Sequence, residues 1–281
     1  MQYTLHETVA AALAEDIGHG DMTTRALVAP GDRCTATLLA KQAGVLSGME
    51  AYRAAFDQLG AEISDWTGLS DGDRFAHGDV VARFNGATQA VLSAERTALN
   101  FVQRLSGVAT LAAQYVAALE GLPCRVCDTR KTTPLLRHLE KAAVLHGGAA
   151  NHRYNLTDGM LIKENHIAAA GGIRVAIARA RAQAHHLLRV EIEVTNLEQL
   201  REALDAGADV VMLDNMDNET MAAAVRINRG RPGAPALLEA SGNVSLERIR
   251  AMAETGVDFI SVGAITHSAP AIDLSLLIKP L

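Results

Sequence analysis

The sequence predicts an α/β protein whose second half is built from parallel strands. Three observations carry this. From residue 122 onward, short apolar runs alternate with amphipathic helical patterns, the rhythm of right-handed β–α–β crossovers. The apolar residues are mostly Ala, Val, Leu and Ile, with few aromatics, which suits helices lying close on a sheet. Nearly every apolar run ends in a charged, hydroxyl or glycine residue. Six strand candidates fall short of an eight-fold barrel, so the second half is either an incomplete barrel or an open sheet.

The first half mixes element types. Residues 3–16 read as an amphipathic helix with Leu5, Val9, Ala12 and Leu13 on one stripe, broken by "GDMTT". "RCTATLLAKQ" alternates like a strand, and "GMEAYRAAFDQLG" is a helix closed by Gly60. "AEISDWTG" and "GDRFAHGDVVARFNG" read as short antiparallel strands with Gly-Asp turns. The latter pattern also occurs in biotinyl and lipoyl carriers, but its hairpin lacks the lysine such a carrier needs. The helical stretch "TQAVLSAERTALNFVQRLSGVATLAAQYVAALEG" follows.

In the second half the strand candidates are "CRVCDTR", "MLIKENHI", "HLLRVEIEVTN", "VVMLDN", "ALLEASGN" and "FISVGAIT". Between them lie helical patterns at "PLLRHLEKAAVLHGG", "IRVAIARARAQA", "LEQLREALDAGA", "NETMAAAVRIN" and "SLERIRAMAETG".

Composition excludes several function classes. The formal net charge is -6, which argues against nucleic acid, since phosphate backbones need a basic face. No apolar run reaches membrane-spanning length. The amphipathic, acidic start does not read as a signal peptide, so a cytoplasmic protein is expected. Three cysteines, Cys34, Cys124 and Cys127, argue against a disulfide framework. The "CRVC" pair has no second pair to complete a zinc site, and core packing is the expectation.

Against that acidic background, Arg130, Lys131, His152, Arg153 and Lys163 gather in one region. With Glu193, Asp214, Ser241, Gly242 and Gly263, they stand at or near the ends of successive strand candidates. Strand ends of a parallel α/β barrel converge on one mouth. Arginine forks match carboxylate or phosphate, so the pocket is expected to take a small polyanion. Two carboxylates on adjacent strands suit magnesium or sugar hydroxyls. "ASGN" and "SVGAIT" offer backbone N–H groups at close approach, suited to phosphate. Glu191 shares a face with Glu193 and is expected to contact ligand or to support its neighbour. Arg137 and Lys141 read as solvated helix residues, His138 as surface, and His185 and His186 as loop residues. His166 and His267 divide between core and supporting roles.

The stretch "DTRKTTPLLRHLEKAAVLHGGAANHRYNLTDGMLIKENHI" closely resembles the central signature of the quinolinate phosphoribosyltransferases. The likeness extends to "EDIGHGDMTT", "ERTALNFVQRLSG", "VEIEVTNLEQL", "VMLDNM", "LEASGNV" and "SVGAITHSA", covering nearly the whole chain. Ala149 departs from the pattern, standing where the family often has a glycine. A related branch, associated with molybdate-transport operons, shares the fold, so the alternative reading is a phosphoribosyltransferase of that branch acting on another aromatic acid.

The resemblance implies an α/β fold: an N-terminal α+β sandwich domain over residues 1–115, joined by the final segment 268–281, and an incomplete parallel α/β barrel over 116–267. It implies transfer of phosphoribosyl from phosphoribosyl pyrophosphate to quinolinate with loss of CO2, a step of de novo NAD synthesis. By the same resemblance Arg130, His152, Arg153 and Lys163 face the quinolinate carboxylates. Lys131 lies near the pyrophosphate. Glu193 and Asp214 hold ribose hydroxyls and Mg2+. Ser241, Gly242 and Gly263 bind the 5′-phosphate. Arg96 reaches the partner's pocket in a homodimer with shared sites. No organic cofactor is expected, because the ring nitrogen made cationic by ribosylation serves as electron sink. A non-catalytic anion-binding barrel is the rival from another class; it does not require the carboxylates Glu193 and Asp214.

Overall fold

The computed structural model describes residues 4–281 and divides them into two compact units. The first comprises residues up to Ala113 together with Thr132–Gly148 and Thr266–Leu281; the second comprises Gln114–Lys131 and Ala149–Ile265.

The first unit starts with α1 (Leu5–Ile17), whose capping box joins Thr4 and Glu7. The "GDMTT" break is not simply loop. Asp21 accepts the Thr24 N–H at 2.9 Å and so starts a second helix, α2 (Met22–Leu27). Next come β1 (Arg33–Ala40), β2 (Gly44–Val45), α3 (Met49–Gln58), β3 (Ser64–Gly68), β4 (Arg74–Phe75) and β5 (Val80–Ala87). The long helix α4 (Thr88–Ala118) follows, passing from the first unit into the second.

Period-two alternation in β1 buries Cys34, Ala36, Leu38 and Ala40 on one face. Against that face pack Val9 and Leu13 of α1 and Tyr52 and Phe56 of α3. Each fully buried large side chain contributes roughly 1.5–3 kcal/mol. The chain end returns as β12 (Leu274–Pro280), antiparallel to β1 along its length, giving the sheet order β12-β1-β5-β3.

Residues 132–148, which the strand–helix alternation assigned to the barrel, cluster with this first unit. Their helix α5 (Arg137–His146) also corrects the reading of its charged residues: Lys141 is 2% exposed and Glu140 fully buried. Glu140 is buried because it is paired. Its carboxylate lies 2.9 Å from Arg104 Nη2 and accepts the Thr133 N–H and hydroxyl. His138, expected at the surface, is half-buried, and burial holds its pKa below the usual value.

The second unit is the incomplete barrel. Its strands are β6 (Arg125–Cys127), β7 (Met160–Ile162), β8 (Val190–Val194), β9 (Val210–Asp214), β10 (Leu237–Ser241) and β11 (Phe259–Ser261). All are parallel, in the order β6-β11-β10-β9-β8-β7. A bridge from Ala150 to Cys127 extends the sheet beyond β6. The connecting helices are α6 (Glu164–Ala170), α7 (Ile173–Gln183), α8 (Leu197–Asp205), α9 (Asn218–Arg229) and α10 (Leu246–Glu254), with a short α11 (Ala264–His267) after β11. "MLIKENHI" is thus strand only to Ile162. Lys163 caps α6, and His166 turns back to accept the Lys163 N–H at 2.9 Å.

Register decides which side chains face inward. Glu193 lies beside Met212, Met212 beside Glu239, and Asp214 beside Ser241. Side chains two apart on a strand share a face. Leu161 and Lys163, Glu191 and Glu193, Met212 and Asp214, and Glu239 and Ser241 therefore form one inward set. Ile192, Val211 and Leu238 point the other way and are buried.

Candidate active site

At the C-terminal strand ends of the second unit lies a cavity of about 600 Å3. Its lining includes Arg130, Lys131, His152, Arg153, Lys163, Glu193, Asp214, Ser241 and Gly242. Nine predicted residues spread over more than a hundred positions are thus brought together. Two are not. Gly263 follows β11 but does not line the cavity, where Ser261 stands instead. Arg96 is an exposed residue of α4 in the first unit and is not among the lining residues.

The cations reach the cavity from three places. Arg130 and Lys131 follow β6, and the Lys131 N–H is fixed by Thr129 Oγ1 at 3.0 Å. His152 and Arg153 lie in a loop with no regular structure. His152 N donates to the buried Asp128 at 2.7 Å, Arg153 N to His152 Nδ1 at 2.8 Å, and Arg153 Nη1 to the Gly159 carbonyl at 3.1 Å. Lys163 closes β7, and its Nζ lies 2.6 Å from Glu193 Oε2. Burial, then the charge of Arg130, lowers the Arg153 pKa; Glu191 and Asp158 oppose that. Such a concentration of positive charge favours an anionic ligand.

The strands β9 and β10 bring a carboxylate and bent backbone to the same cavity. Asp214 ends β9 and accepts Asn215 Nδ2 at 2.9 Å. Asn215 and Asn243 both take left-handed backbone and are joined, Asn243 Nδ2 donating to Asn215 Oδ1 at 3.1 Å. Between them Gly242 has φ +94°, and a Cβ there would overlap the Asn215 side chain. Only glycine fits. Backbone N–H groups of such a turn suit a phosphate.

Below them sits Glu239, 4% exposed. Burial first, and the neighbouring Glu191 second, push its carboxyl up to about 7. His152 Nε2 stands 3.4 Å from Glu191 Oε2 and 3.5 Å from Glu239 Oε2. Sequence reasoning missed Glu239, Asn215 and Asn243. The two asparagines carried a signal, since Asn after a strand favours left-handed turns. Glu239 carried one too, as its alternation with Ser241 sets it inward. His166 is exposed and caps α6, and His267 is exposed and contacts Ser268. Cys34, Cys124 and Cys127 are buried, as core packing requires.

The donor set fits a magnesium ion. Glu193 and Asp214 present hard carboxylate oxygens from adjacent strands into a cavity open to phosphate.

Comparison with known proteins agrees with this geometry. Residues 21–106 match the family described as quinolinate phosphoribosyl transferase, N-terminal domain, and residues 108–277 its C-terminal domain. The chain is 42% identical over 262 residues to a probable nicotinate-nucleotide pyrophosphorylase [carboxylating] of Bacillus subtilis (strain 168), covering 93% of this chain and 89% of that protein. It is 38% identical over 275 residues to the nicotinate-nucleotide pyrophosphorylase [carboxylating] of Mycobacterium leprae (strain TN), covering 96% and 95%. The solved structure of the nicotinate-nucleotide pyrophosphorylase from Francisella tularensis superposes with a TM-score of 0.91 at 42% identity, covering 98% of this chain and 96% of that one. An inward-facing set of cations and carboxylates, an incomplete parallel barrel and two matched domains converge: the chain belongs to the quinolinate phosphoribosyl transferase family.

Proposed function

We propose that this protein transfers the phosphoribosyl group of phosphoribosyl pyrophosphate to quinolinate with loss of CO2, giving nicotinate mononucleotide and pyrophosphate. One observation carries the reading: Arg130, Lys131, Arg153 and Lys163 share a single cavity with Glu193 and Asp214. Binding an anion needs only the cations. Stabilising a ribosyl cation needs the carboxylates as well. The B. subtilis and M. leprae relatives carry the name of this activity.

In this reading Arg130, Arg153 and Lys163 hold the two carboxylates of the pyridine ring, and His152 closes the wall behind them. The ring nitrogen attacks the anomeric carbon as the bond to pyrophosphate breaks. Lys131 meets the charge that develops on the leaving group. Glu193 and Asp214 orient the ribose hydroxyls and stabilise positive charge on the ribosyl carbon. Glu193 and Asp214 would also hold Mg2+, which would supply charge neutralisation. Ser241, Gly242 and the Asn243 turn hold the 5′-phosphate; Gly263 backs that end from beyond β11. The alkylated ring nitrogen is cationic, so it accepts the electron pair left when the adjacent carboxylate departs as CO2, and a proton completes the product.

The working unit in this proposal is a homodimer in which Arg96 of one subunit completes the other's pocket. Its setting is the cytoplasm, which suits buried cysteines. Among the described residues, no helix is long and apolar enough to cross a membrane. The test is product analysis with quinolinate, phosphoribosyl pyrophosphate and magnesium, with and without chelator. Magnesium-dependent nicotinate mononucleotide is the expected product; its absence overturns the proposal.

A further inference from the structure

The loop that carries His152 and Arg153 has no strand ladder to hold it. After the bridge at Ala150, residues 151–153 lie outside regular structure. Side-chain contacts do the holding. The His152 N–H is taken by Asp128, and the Arg153 N–H by His152 Nδ1. Because Nδ1 accepts, the ring carries its proton on Nε2. Nε2 stands 3.4 Å from Glu191 Oε2 and 3.5 Å from Glu239 Oε2, and these carboxylates come from two different barrel strands. Each also buries its second oxygen, Oε1, and buried carboxylates call for polar partners.

We infer that Glu239, with Glu191, is a positioning residue: it fixes the His152 imidazole, which in turn fixes the Arg153 backbone and so aims the Arg153 guanidinium at the acceptor's carboxylates. The connection runs from β10 through the ring to the loop, over contacts that all lie within the second unit. The raised carboxyl of Glu239 is compatible with this role, since a neutral carboxyl still has a carbonyl oxygen to offer the ring. The role concerns the acceptor and not phosphoribosyl pyrophosphate, because in the proposed reaction Arg153 holds the acceptor's carboxylates while the Gly242 turn holds the 5′-phosphate. This inference rests on the proposed reaction for its kinetic consequence, but not for its structural one.

The experiment therefore has two arms. In the first, hydrogen exchange followed by mass spectrometry compares the ligand-free wild type with Glu239→Leu and Glu239→Gln. The leucine variant should exchange amides of residues 151–159 at least about tenfold faster, while β8 and β10 keep their protection. The glutamine variant, which keeps an acceptor oxygen, should recover most of the loop's protection. In the second arm, Glu239→Leu should raise KM for quinolinate about tenfold or more, the scale of a lost hydrogen bond to a charged group, with KM for phosphoribosyl pyrophosphate within about twofold. In a His152→Ala background the same substitution should add less than about twofold. Unchanged exchange in Glu239→Leu, or costs that multiply fully in the double variant, would overturn the inference. If quinolinate is not the acceptor, the kinetic arm fails while the exchange arm still shows the loop depending on Glu239.

Discussion

Lys163 Nζ lies 2.6 Å from Glu193 Oε2, so a cation expected to meet the acceptor is paired with a carboxylate expected to meet the ribose. The two come from β7 and β8, adjacent parallel strands. The Lys163 side chain is half exposed, so the pair adds little to folding. Its importance is for ligand: a bound carboxylate would compete with Glu193 for Lys163 and free Glu193 for the ribose.

Replacing Lys163 by Ala should therefore separate stability from catalysis. The melting temperature should move little. The loss in kcat/KM should correspond to about 2–5 kcal/mol, the usual cost of removing one partner of a charge pair that the bound ligand desolvates. Thermal unfolding and steady-state kinetics on one preparation check both. A folded variant with near-normal kcat/KM would remove Lys163 from the site.

Glu239 makes a prediction about pH. Burial and the neighbouring Glu191 hold its folded-state pKa at about 7, above the ordinary glutamate value of 4.5. Between these values the native state holds more protons than the unfolded chain, so stability falls as pH rises through that window. The contribution is complete below the unfolded value and lost above the folded one. Glu239→Gln cannot ionise. Its melting temperature relative to wild type should accordingly be higher at pH 8 than at pH 4.5. A difference independent of pH would mean that Glu239 is not held protonated.

Gly242→Ala should harm the phosphate end. A left-handed non-glycine residue costs roughly 1–2 kcal/mol, and here the added Cβ must also displace Asn215. A melting temperature lower by several degrees is expected, together with a rise in KM for phosphoribosyl pyrophosphate larger than that for quinolinate. Equal rises would show that the turn does not favour one substrate.

Arg96 is tested by complementation. Arg96→Ala and Lys163→Ala should each be nearly inactive. After random subunit exchange half the dimers are mixed, and each mixed dimer regains one intact site if Arg96 acts across the interface. Activity should return to about a quarter of wild type. Exchange verified by mass without recovered activity would place Arg96 outside the partner's pocket.

What could be read in the sequence was governed by periodicity. Six strands follow from the β–α rhythm, and the gathering of Lys163, Glu193, Asp214 and Ser241 at one mouth follows from their places at the strand ends. The turn at Gly242 was legible in "ASGN", where glycine and asparagine permit left-handed backbone. Burial of charge was not legible. Lys141 and Glu140 look like a solvated helix face until Arg104, distant in sequence, is seen beside Glu140. Glu239 looks like an ordinary strand residue until Glu191 and His152 converge on it. In both cases the deciding partner lies far along the chain. Helix α2 and the early end of β7 were hidden by capping, a matter of one side chain meeting one amide.

The most direct test of the account is stoichiometry. Quinolinate labelled at the carboxyl next to the ring nitrogen is supplied with phosphoribosyl pyrophosphate and magnesium, and labelled CO2 and nicotinate mononucleotide are counted together. The account predicts one CO2 for each nucleotide formed, with nicotinate a far poorer acceptor because it offers Arg130, Arg153 and Lys163 only one carboxylate. Turnover of nicotinate as efficient as that of quinolinate, or nucleotide formed without CO2, would contradict it.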